Sequence, residues 1–362
     1  MQDLIVFSHL RWEFVYQRPQ HIIERMGKNS KVLFIEEPIF FTEEDEPSAN
    51  IIEKKNIIII QPIVSRKNFL RDIIKIINNN IEKYHLNNII LWFYSAAWHN
   101  LTNYIDAKLI VYDCMDELSA FKNASPDLIQ QEIELIKKAN IVFTGGKSLY
   151  EAKRKIANHV YCFPSSVDKK HFSSYNNTKP IDLIDMESTL IGYYGVIDER
   201  IDLNLLEEVA NLRRDCTFVM LGPVVKISTY DLPMCPNIVY LGQKSYHELP
   251  NYLHYFDICM MPFALNEATR FISPTKTLEF MAAGKPIIST KIYDIERDYS
   301  HVVSIINNAS EFSQKIDYYL NETQSEKEHR LTQQNLILAK TSWDLTAAAM
   351  SELIQQELIE VV

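Results

Sequence analysis

The sequence lacks the features of a membrane-spanning, disulfide-stabilised or zinc-binding protein. None of its apolar runs approaches the roughly 18 residues that a membrane-spanning helix requires. The apolar run Leu4–Phe7 is too short for the core of a signal peptide, so we expect a cytoplasmic protein. The five cysteines show no Cys-x-x-Cys spacing, and most lie in apolar, strand-like runs. This pattern favours reduced thiols in the core.

The sequence also lacks an excess of positive charge. Lys and Arg number 37 against 47 Asp and Glu, which gives a net charge of -10. A protein with this charge is not expected to be a general nucleic-acid binder. Short-period repeats are absent as well.

The length and the order of apolar runs predict two domains. At 362 residues the chain is longer than one typical domain, and its 47% of apolar residues suffices for two cores. Strand-like runs alternate with helical patterns twice, and a polar connector separates the two series. We predict an α/β fold with two doubly wound parallel-sheet domains that face a cleft. The predicted bounds are 1–170 for the first domain, 171–186 for a linker and 187–342 for the second domain.

The segment after residue 272 carries the most informative local pattern. Ser273 and Pro274 are typical of a helix start, with Ser273 as the N-cap and Pro274 as the first helical residue. Gly284 is expected to end this helix in a left-handed conformation. The apolar residues after Pro286 predict a short buried strand.

The start of this predicted helix has the chemistry of an anion site. Unpaired N–H groups and the helix dipole favour a phosphate there. Thr275 adds a hydroxyl, Lys276 adds a cation, and Arg270 adds a planar guanidinium group suited to phosphate. Glu279 lies one turn further on, where a carboxylate suits a sugar or ribose hydroxyl better than a phosphate. The arrangement fits a diphosphate with a sugar on each side.

This segment resembles the donor-binding signature of GT-B glycosyltransferases of the GT4-like group, which is close to S-P-x-K-x-x-E-x-x-A-x-G-x-P-V-V. Many members carry a first glutamate eight residues before the second, where this chain has Phe271, and Glu267 is the nearest candidate. The segment SHLRWEFVYQRPQH at residues 8–21 is similar to the amino-terminal segment of a subgroup of bacterial polysaccharide glycosyltransferases. The matching signature residues are Ser273, Pro274, Thr275, Lys276, Glu279, Ala282, Gly284 and Pro286–Ile288.

The resemblance implies two Rossmann-like domains, of which the second holds a nucleotide diphosphate sugar. Gly195 ends a strand, where the absence of a side chain lets a phosphate approach the backbone. Arg200 takes the place of the family's basic residue, although Val196 stands where an arginine is frequent. Residues 343–362 would form a helix that crosses back to the first domain. The candidate donor-binding residues are Gly195, Arg200, Gly222, Glu267, Arg270, Ser273, Pro274, Thr275, Lys276 and Glu279.

The first domain is expected to hold the acceptor, through side chains that follow its strands. Trp12 could stack on a sugar face, and the alternative is a buried plug in a polar loop. Asp116 is the predicted sugar contact, and the alternative is a helix N-cap. The candidate acceptor-side residues are His9, Arg11, Trp12, Arg18, Asp113 and Asp116.

The reaction implied by the resemblance is sugar transfer from a UDP-sugar to a glycan of cell-surface polysaccharide biosynthesis, with retention at the anomeric carbon. Lys276 and Arg200 would neutralise the charge on the diphosphate leaving group, and Asp116 and Glu279 complete the predicted catalytic set. No carboxylate pair with clear metal-ligand spacing is present, so no metal or other cofactor is expected. The alternatives are a GT-B nucleotide-sugar epimerase and a catalytically silent partner subunit of a glycosyltransferase.

A basic and apolar segment at residues 65–77 indicates contact with a membrane. It contains four cations against Asp72 alone, and a helix is predicted over Phe69–Tyr84. Such a helix could dock at the inner face of the plasma membrane, where a lipid-linked glycan acceptor would lie. The alternative is a surface helix whose isoleucines pack on the sheet. The cations are Arg66, Lys67, Arg71 and Lys75, and the apolar face is Phe69, Leu70, Ile73 and Ile77.

Overall fold

The computed structural model of the protein, which describes residues 2–41, 46–176 and 178–360, divides into two compact units. The first unit comprises Met1–Ser119, Asn123–Pro164 and Trp343–Val362, and the second comprises Ala120–Lys122 and Ser165–Ser342. The division after Pro164 comes earlier than the predicted boundary at residue 170. Phe172 and Leu183 belong to the core of the second unit, so the segment predicted as a linker contributes to that unit.

The first unit is built on a nine-stranded sheet. Its strands are β1 (Leu4–Phe7), β2 (Val32–Ile35), β3 (Ile39–Phe41), β4 (Ser48–Lys54), β5 (Ile57–Ser65), β6 (Ile90–Phe93), β7 (Leu109–Cys114), β8 (Ile141–Thr144) and β9 (Val160–Cys162). The order is β3-β5-β2-β1-β6-β7-β8-β9, and all pairs are parallel except β4, which runs antiparallel along β5. The helices of this part are α1 (Arg18–Met26), α2 (Phe69–Tyr84), α3 (Asp127–Lys138) and α4 (Lys147–Lys153), with short 3-10 helices at Ala96–Asn103 and Leu118–Ala120.

Burial on both faces explains the continuous apolar runs of the central strands. All four residues of β1 and all four of β6 are buried, which is typical of a parallel sheet covered by helices. Phe7 and Phe93 stack across this pair with their ring centroids 4.9 Å apart. The helix that starts at Trp343 adds Trp343 and Met350 to the same core. The first and last parts of the chain therefore share one hydrophobic core.

Helix α2 packs against the core of the first unit through its isoleucines. Ile73 and Ile77, which we predicted to face a membrane, have no exposed surface. Their burial corrects the predicted apolar face and agrees with the alternative, a surface helix that packs on the sheet. The cations remain at the surface, where Arg71 pairs with Asp72 at 3.0 Å and Arg66 lies 4.3 Å above the ring of Phe40. Among the described residues, no helix combines the length and the apolar character needed to cross a bilayer.

The second unit is a six-stranded, entirely parallel sheet. Its strands are β10 (Thr189–Tyr194), β11 (Cys216–Leu221), β12 (Ile238–Tyr240), β13 (Ile258–Met261), β14 (Ile287–Thr290) and β15 (Ser304–Ile306). Its helices are α5 (Lys169–Ser173), α6 (Leu203–Leu212), α7 (Leu249–Tyr255), α8 (Lys276–Ala282), α9 (Tyr293–Tyr299), α10 (Ala309–Leu320) and α11 (Gln324–Leu338), and α12 (Trp343–Glu360) follows in the first unit. Short 3-10 helices lie at Ile181–Leu183, Thr229–Asp231 and Glu267–Thr269.

The strand order of the second unit locates its binding crevice. The order is β12-β11-β10-β13-β14-β15, so the chain moves outward in one direction from β10 and in the other from β13. In an open parallel sheet, ligands bind at the carboxyl ends of the strands where the order reverses. The loops that follow β10 and β13 are therefore the expected ligand-binding loops. These loops carry Gly195, Arg200, Glu267 and Arg270.

Candidate functional site

Gly195 and Lys276 lie in contact at this crevice. Gly195 directly follows β10, and Lys276 is the first residue of α8. A Cβ atom built on Gly195 would lie 2.2 Å from Cε of Lys276 and 2.7 Å from its Nζ. A Cβ atom at residue 195 would displace the flexible end of the lysine side chain, and the φ of +138° at Gly195 is a conformation that favours glycine. The structure therefore brings together a strand end without a side chain and a cation.

Gly222 supports this arrangement from the neighbouring strand. It directly follows β11, and its φ is +144°. A Cβ atom on Gly222 would lie 1.9 Å from the carbonyl oxygen of Gly195. The N–H of Gly195 donates to the carbonyl of Leu221 at 2.8 Å, and the N–H of Gly222 donates to that of Gly242 at the same distance. The two glycines are thus packed backbone to backbone, which fixes the position of Gly195.

The helix after these glycines begins later than predicted. Helix α8 starts at Lys276, so Ser273 is not its N-cap and Pro274 is not its first residue. The N–H of Thr277 donates to the carbonyl of Pro274 at 3.2 Å, which shows that a tight turn precedes the helix. The carbonyl of Ser273 accepts a hydrogen bond of 2.6 Å from the hydroxyl of Ser165. Ser273 is therefore held by its backbone, and Lys276 stands at the start of the helix.

Arg200 is fixed by a carboxylate that the sequence analysis did not single out. Its Nε and terminal amino group form a two-point ion pair with Asp198, with contacts of 2.7 to 3.1 Å. The Asp198 side chain is 3% exposed, whereas that of Arg200 is 25% exposed. The backbone N–H of Arg200 also donates to Asp198 Oδ1 at 3.0 Å. This geometry limits the rotation of the guanidinium group.

A second group near Arg200 comes from the segment Ala120–Lys122, which belongs to the second unit. The ring of Phe121 lies 5.2 Å from the Arg200 guanidinium and 4.7 Å from the Lys226 ammonium. The N–H of Lys122 donates to Glu199 at 3.0 Å. Cations above an aromatic face are attracted by its quadrupole. Neither Phe121 nor Asp198 belongs to the recognised signature, so only the structure associates them with the site.

Glu279 is buried next to Lys276. Its Oε2 accepts a hydrogen bond of 2.7 Å from the hydroxyl of Tyr194, the last residue of β10. Burial raises the pKa of Glu279, while the Tyr194 hydroxyl and the positive charge of Lys276 lower it. The carboxylate thus has one oxygen committed to Tyr194, and a hydroxyl of a ligand is a suitable partner for the other.

Glu267 and Arg270 lie at the surface and pair with each other. Their side chains are 77% and 64% exposed, and the closest charged atoms are 3.5 Å apart. The Arg270 guanidinium also lies 5.2 Å from the ring of Phe271, the residue that replaces the family's first glutamate. The loop that carries Glu267 is joined to the Arg200 loop, because Asn266 Nδ2 donates to the carbonyl of Glu199 at 2.9 Å. Both residues are accessible to a ligand.

On the predicted acceptor side, Arg18 and Asp113 form a buried ion pair. Their side chains are 3% and 0% exposed, and Arg18 Nε and its terminal amino group donate to the Asp113 carboxylate at 2.8 to 3.1 Å. Arg18 also donates to the carbonyl of Phe163 at 2.7 Å. We predicted both as substrate contacts, but the structure uses them to join the start of α1 to β7. Desolvation explains the pairing, because a buried charge requires a partner.

Trp12 is a core residue in the structure. It is 5% exposed, and its ring meets that of Phe34 edge to face at a centroid distance of 4.9 Å. Its backbone N–H donates to Glu36 Oε1 at 2.7 Å. The predicted stacking of Trp12 on a sugar is therefore corrected to the alternative, a buried plug. The ring lacks the exposed face that stacking requires.

The other acceptor-side candidates follow strand ends of the first unit. His9 and Arg11 lie in the loop between β1 and α1, where Arg11 is exposed. Asp116 is partly buried in the loop after β7, and its carbonyl lies 3.6 Å from the sulfur of Cys114. Their roles as acceptor contacts stay predictions. Among the described residues, no group of three or more His, Cys, Asp or Glu side chains is arranged to hold a metal ion.

Comparison with known proteins relates the second unit to a family of glycosyltransferases. Residues 189–322 match the model of the family Glycosyl transferases group 1. This range begins at β10 and includes Gly195, Arg200 and the whole of α8. The predicted recognition as a glycosyltransferase and the predicted fold class are confirmed by this match together with the structural relatives below. The chain has the GT-B fold, and residues 189–322 of its second unit form a domain of the Glycosyl transferases group 1 type.

One relative is similar in sequence. The chain is 24% identical over 219 residues to TuaH of Bacillus subtilis strain 168, whose name describes a glycosyltransferase of teichuronic acid biosynthesis. The alignment covers 56% of this chain and 55% of that protein, so it spans about half the length of the relative.

Three solved structures share the fold along nearly the whole chain. An Escherichia coli trehalose-6-phosphate structure bound with UDP-2-fluoro glucose has a TM-score of 0.72 at 11% identity and covers 99% of each chain. Sucrose-phosphate synthase of Thermosynechococcus elongatus has a TM-score of 0.72 at 13% identity, with 98% of this chain and 99% of that chain covered. Anabaena HepE in complex with UDP and glucose has a TM-score of 0.71 at 10% identity, with 98% and 100% covered.

Proposed function

We propose that the protein transfers a sugar from a UDP-sugar to a glycan acceptor in the biosynthesis of a cell-surface polysaccharide. The contact between the Lys276 side chain and Gly195 carries the proposal, because it provides a cation at a strand end that has no side chain. Arg200, fixed by Asp198 on the same loop, supplies the second cation. The sugar and the nucleotide are suggested by two structural relatives whose descriptions include UDP-2-fluoro glucose, or UDP and glucose.

In this proposal the protein's main task is to stabilise the leaving group. As the bond between the anomeric carbon and the phosphate breaks, negative charge grows on the diphosphate. Lys276 and Arg200 would offset that charge in positions that need no reorganisation. The reaction would retain the configuration at the anomeric carbon, with a donor phosphate oxygen assisting the acceptor hydroxyl. The two cations would serve in place of a metal ion, so activity should persist in a chelator.

A nucleotide screen tests the donor proposal. Melting temperatures would be measured with UDP, GDP, dTDP and CMP, and binding of the best ligand would then be measured by calorimetry. Selective stabilisation by UDP is the expected outcome. Stabilisation by GDP or dTDP alone would change the nucleotide and leave the reaction class standing. If no nucleotide binds, the donor proposal is wrong and a catalytically silent subunit becomes the better description.

Incubation with the donor alone separates transfer from epimerisation. An epimerase would convert the nucleotide sugar into an isomer without an acceptor. A transferase would leave the donor intact apart from slow hydrolysis. The appearance of a new sugar isomer at a rate comparable to turnover would contradict the transfer proposal.

We also propose that the acceptor is a lipid-linked glycan reached at the inner face of the plasma membrane. The teichuronic acid named for TuaH supports a cell-surface product. The exposed cations Arg66, Lys67 and Arg71, with Phe40 at 39% exposure, would provide the contact. Each basic residue near an anionic leaflet contributes about 1 kcal/mol. Co-sedimentation with anionic vesicles that weakens as salt rises is expected, and a wild-type protein that stays in the supernatant at low salt would exclude this contact.

A further inference from the structure

Tyr194 connects the end of β10 to the carboxylate on α8. It is the residue directly before Gly195, it is 4% exposed, and its hydroxyl donates to Glu279 Oε2 at 2.7 Å. The ring of Phe280 meets the tyrosine ring edge to face at 5.1 Å. The ring of Phe172 lies parallel to it at 6.4 Å. These aromatic contacts fix the ring, so they also fix the direction from which the hydroxyl reaches Glu279.

Glu279 has one committed oxygen and one available oxygen. Oε2 accepts the bond from Tyr194, and no second hydrogen bond to this carboxylate is found among the described residues. The same face of α8 carries Lys276 one turn earlier, against Gly195. A ligand whose phosphate meets Lys276 would therefore place a neighbouring hydroxyl within reach of Oε1. The structure gives no other described role to this oxygen.

We propose that Tyr194 is a positioning residue, whose hydroxyl orients the Glu279 carboxylate and holds its other oxygen toward a hydroxyl of the nucleotide sugar. The identity of the ligand rests on the proposed function, whereas the interaction between the two residues does not. The groups that act electrostatically on Glu279 are Tyr194 on β10 and Lys276 on α8, and Cys259 on β13 and Tyr246 lie near Tyr194.

The chain contains a matched control for removing this hydroxyl. Tyr252 on α7 is also 4% exposed, and its hydroxyl donates to Asp182 Oδ2 at the same distance of 2.7 Å. The pKa values of the Glu279 and Asp182 carboxylates are shifted in opposite directions. Burial raises the pKa of Glu279, whereas hydrogen bonds from Lys244 and Tyr252 lower that of Asp182. Tyr194→Phe and Tyr252→Phe therefore remove the same bond from carboxylates that titrate in different pH ranges.

Melting temperatures between pH 5 and pH 8 test the interaction without any ligand. Loss of the Tyr194 hydroxyl raises the pKa of Glu279 further, so ionisation of Glu279 becomes more costly in the folded state. The melting temperature of Tyr194→Phe should therefore fall further below wild type as pH rises. The deficit of Tyr252→Phe should stay constant, because Asp182 is ionised throughout this range. The pH dependence should vanish when Tyr194→Phe is combined with Glu279→Gln, and a pH-independent deficit would overturn the inference.

Binding of UDP, GDP and dTDP by calorimetry at pH 6 and pH 8 tests the positioning of the carboxylate. Tyr194→Phe should weaken binding of the diphosphate preferred by wild type about tenfold at pH 6 and less at pH 8, since a higher pH favours the ionised carboxylate. Tyr252→Phe should bind as wild type does. If wild type binds none of the three nucleotides, the proposed function fails. The melting temperatures would still test the interaction between Tyr194 and Glu279. If wild type binds and Tyr194→Phe loses nothing, the positioning role is wrong and the proposed function stands.

Discussion

Gly222 lies so close to Gly195 that a Cβ atom on Gly222 would be 1.9 Å from the Gly195 carbonyl oxygen. The atom in the way belongs to the backbone, so it cannot rotate aside as a side chain could. The two residues end neighbouring strands, and the position of one determines that of the other. Lys276 contacts Gly195. A substitution at Gly222 that displaces Gly195 would therefore also disturb the candidate phosphate site.

Gly222→Ala should therefore weaken nucleotide binding and lower the melting temperature together. The new methyl group would push the Gly195 carbonyl away and displace the strand end. Gly242→Ala is the matched control, because Gly242 also has a positive φ, of +68°, but a Cβ there meets nothing within 4 Å. The control should lose only about 1 kcal/mol from backbone strain. Equal effects of the two substitutions on calorimetric affinity would show that the contact between the glycines is unimportant.

Lys276→Ala should reduce the affinity for a nucleoside diphosphate with the fold intact. One charge-assisted hydrogen bond to phosphate contributes about 1.5–3 kcal/mol. The control is Lys291→Ala, which removes a lysine that pairs with Glu296 at 3.1 Å and is half exposed. Calorimetry with UDP should show a loss for the first variant and none for the second. Unchanged affinity in Lys276→Ala would remove this lysine from the donor site.

The anchoring of Arg200 can be tested with a second matched pair. Asp198→Asn removes the charge that fixes Arg200 but keeps an oxygen for its backbone N–H. Asp215→Asn makes the same change at Arg213, which is held by an equivalent two-point pair with contacts of 2.7 and 2.9 Å. We expect weaker UDP binding for Asp198→Asn only. The loss should disappear in an Arg200→Ala background, because the two effects share one contact. Additive losses would instead indicate that Asp198 acts on the fold.

The residues of this candidate site that could be predicted are those whose sequence pattern lies within a few neighbouring positions. Lys276 and Glu279 could be proposed because they belong to a short motif with fixed spacing, and Gly195 because it is a glycine at the end of a predicted strand. The late start of α8 was missed, since Ser-Pro is compatible with both a helix N-terminus and a preceding turn. Tyr194 could not be assigned to Glu279 from the sequence, because 85 positions separate them and a tyrosine at the end of a strand is ordinary.

The fold shows the same limit. Helix α2 was predicted with its observed bounds, Phe69–Tyr84, because its apolar residues recur with helical spacing. Strand β4 was not predicted, since six of its seven residues are exposed and its sequence, SANIIEK, has no buried face. The pairing of Arg18 with Asp113 was also missed. Both are polar residues at loop positions, and the sequence does not reveal that packing around them excludes water.

The titration of Glu279 gives a pH-dependent prediction for stability. Its pKa is raised in the folded state, so the folded protein holds this proton more tightly than the unfolded chain does. The contribution of Glu279 to the free energy of unfolding therefore decreases as pH rises above about 4.5. The melting temperature of Glu279→Gln relative to wild type should increase from pH 5 to pH 8. Glu326→Gln should show no such trend, because hydrogen bonds from Thr323 lower the pKa of Glu326 and it is already ionised at pH 5.

The buried pair in the first unit should matter for stability. Arg18→Met leaves Asp113 without its partner in a site from which solvent is excluded. Breaking a buried ion pair on one side costs about 3–5 kcal/mol. Arg25→Met, which removes a pair with the largely exposed Asp344, should cost less than about 1 kcal/mol. Denaturant unfolding followed by fluorescence would measure both, and a small loss for Arg18→Met would mean that water reaches Asp113.

The place of α12 in the first unit has a consequence for the order in which the chain can fold during synthesis. Trp343 and Met350 complete a core that begins with Leu4 and Val6, so this core stays unfinished until residues 343–350 have left the ribosome. Apart from the segment Ala120–Lys122, the second unit is a continuous stretch that ends at Ser342. The second unit can therefore acquire its structure first, although it is encoded later. A chain that stops at residue 342 would lack Trp343 and Met350, and the core of the first unit would be exposed. Such a truncation would therefore damage the first unit and not the second.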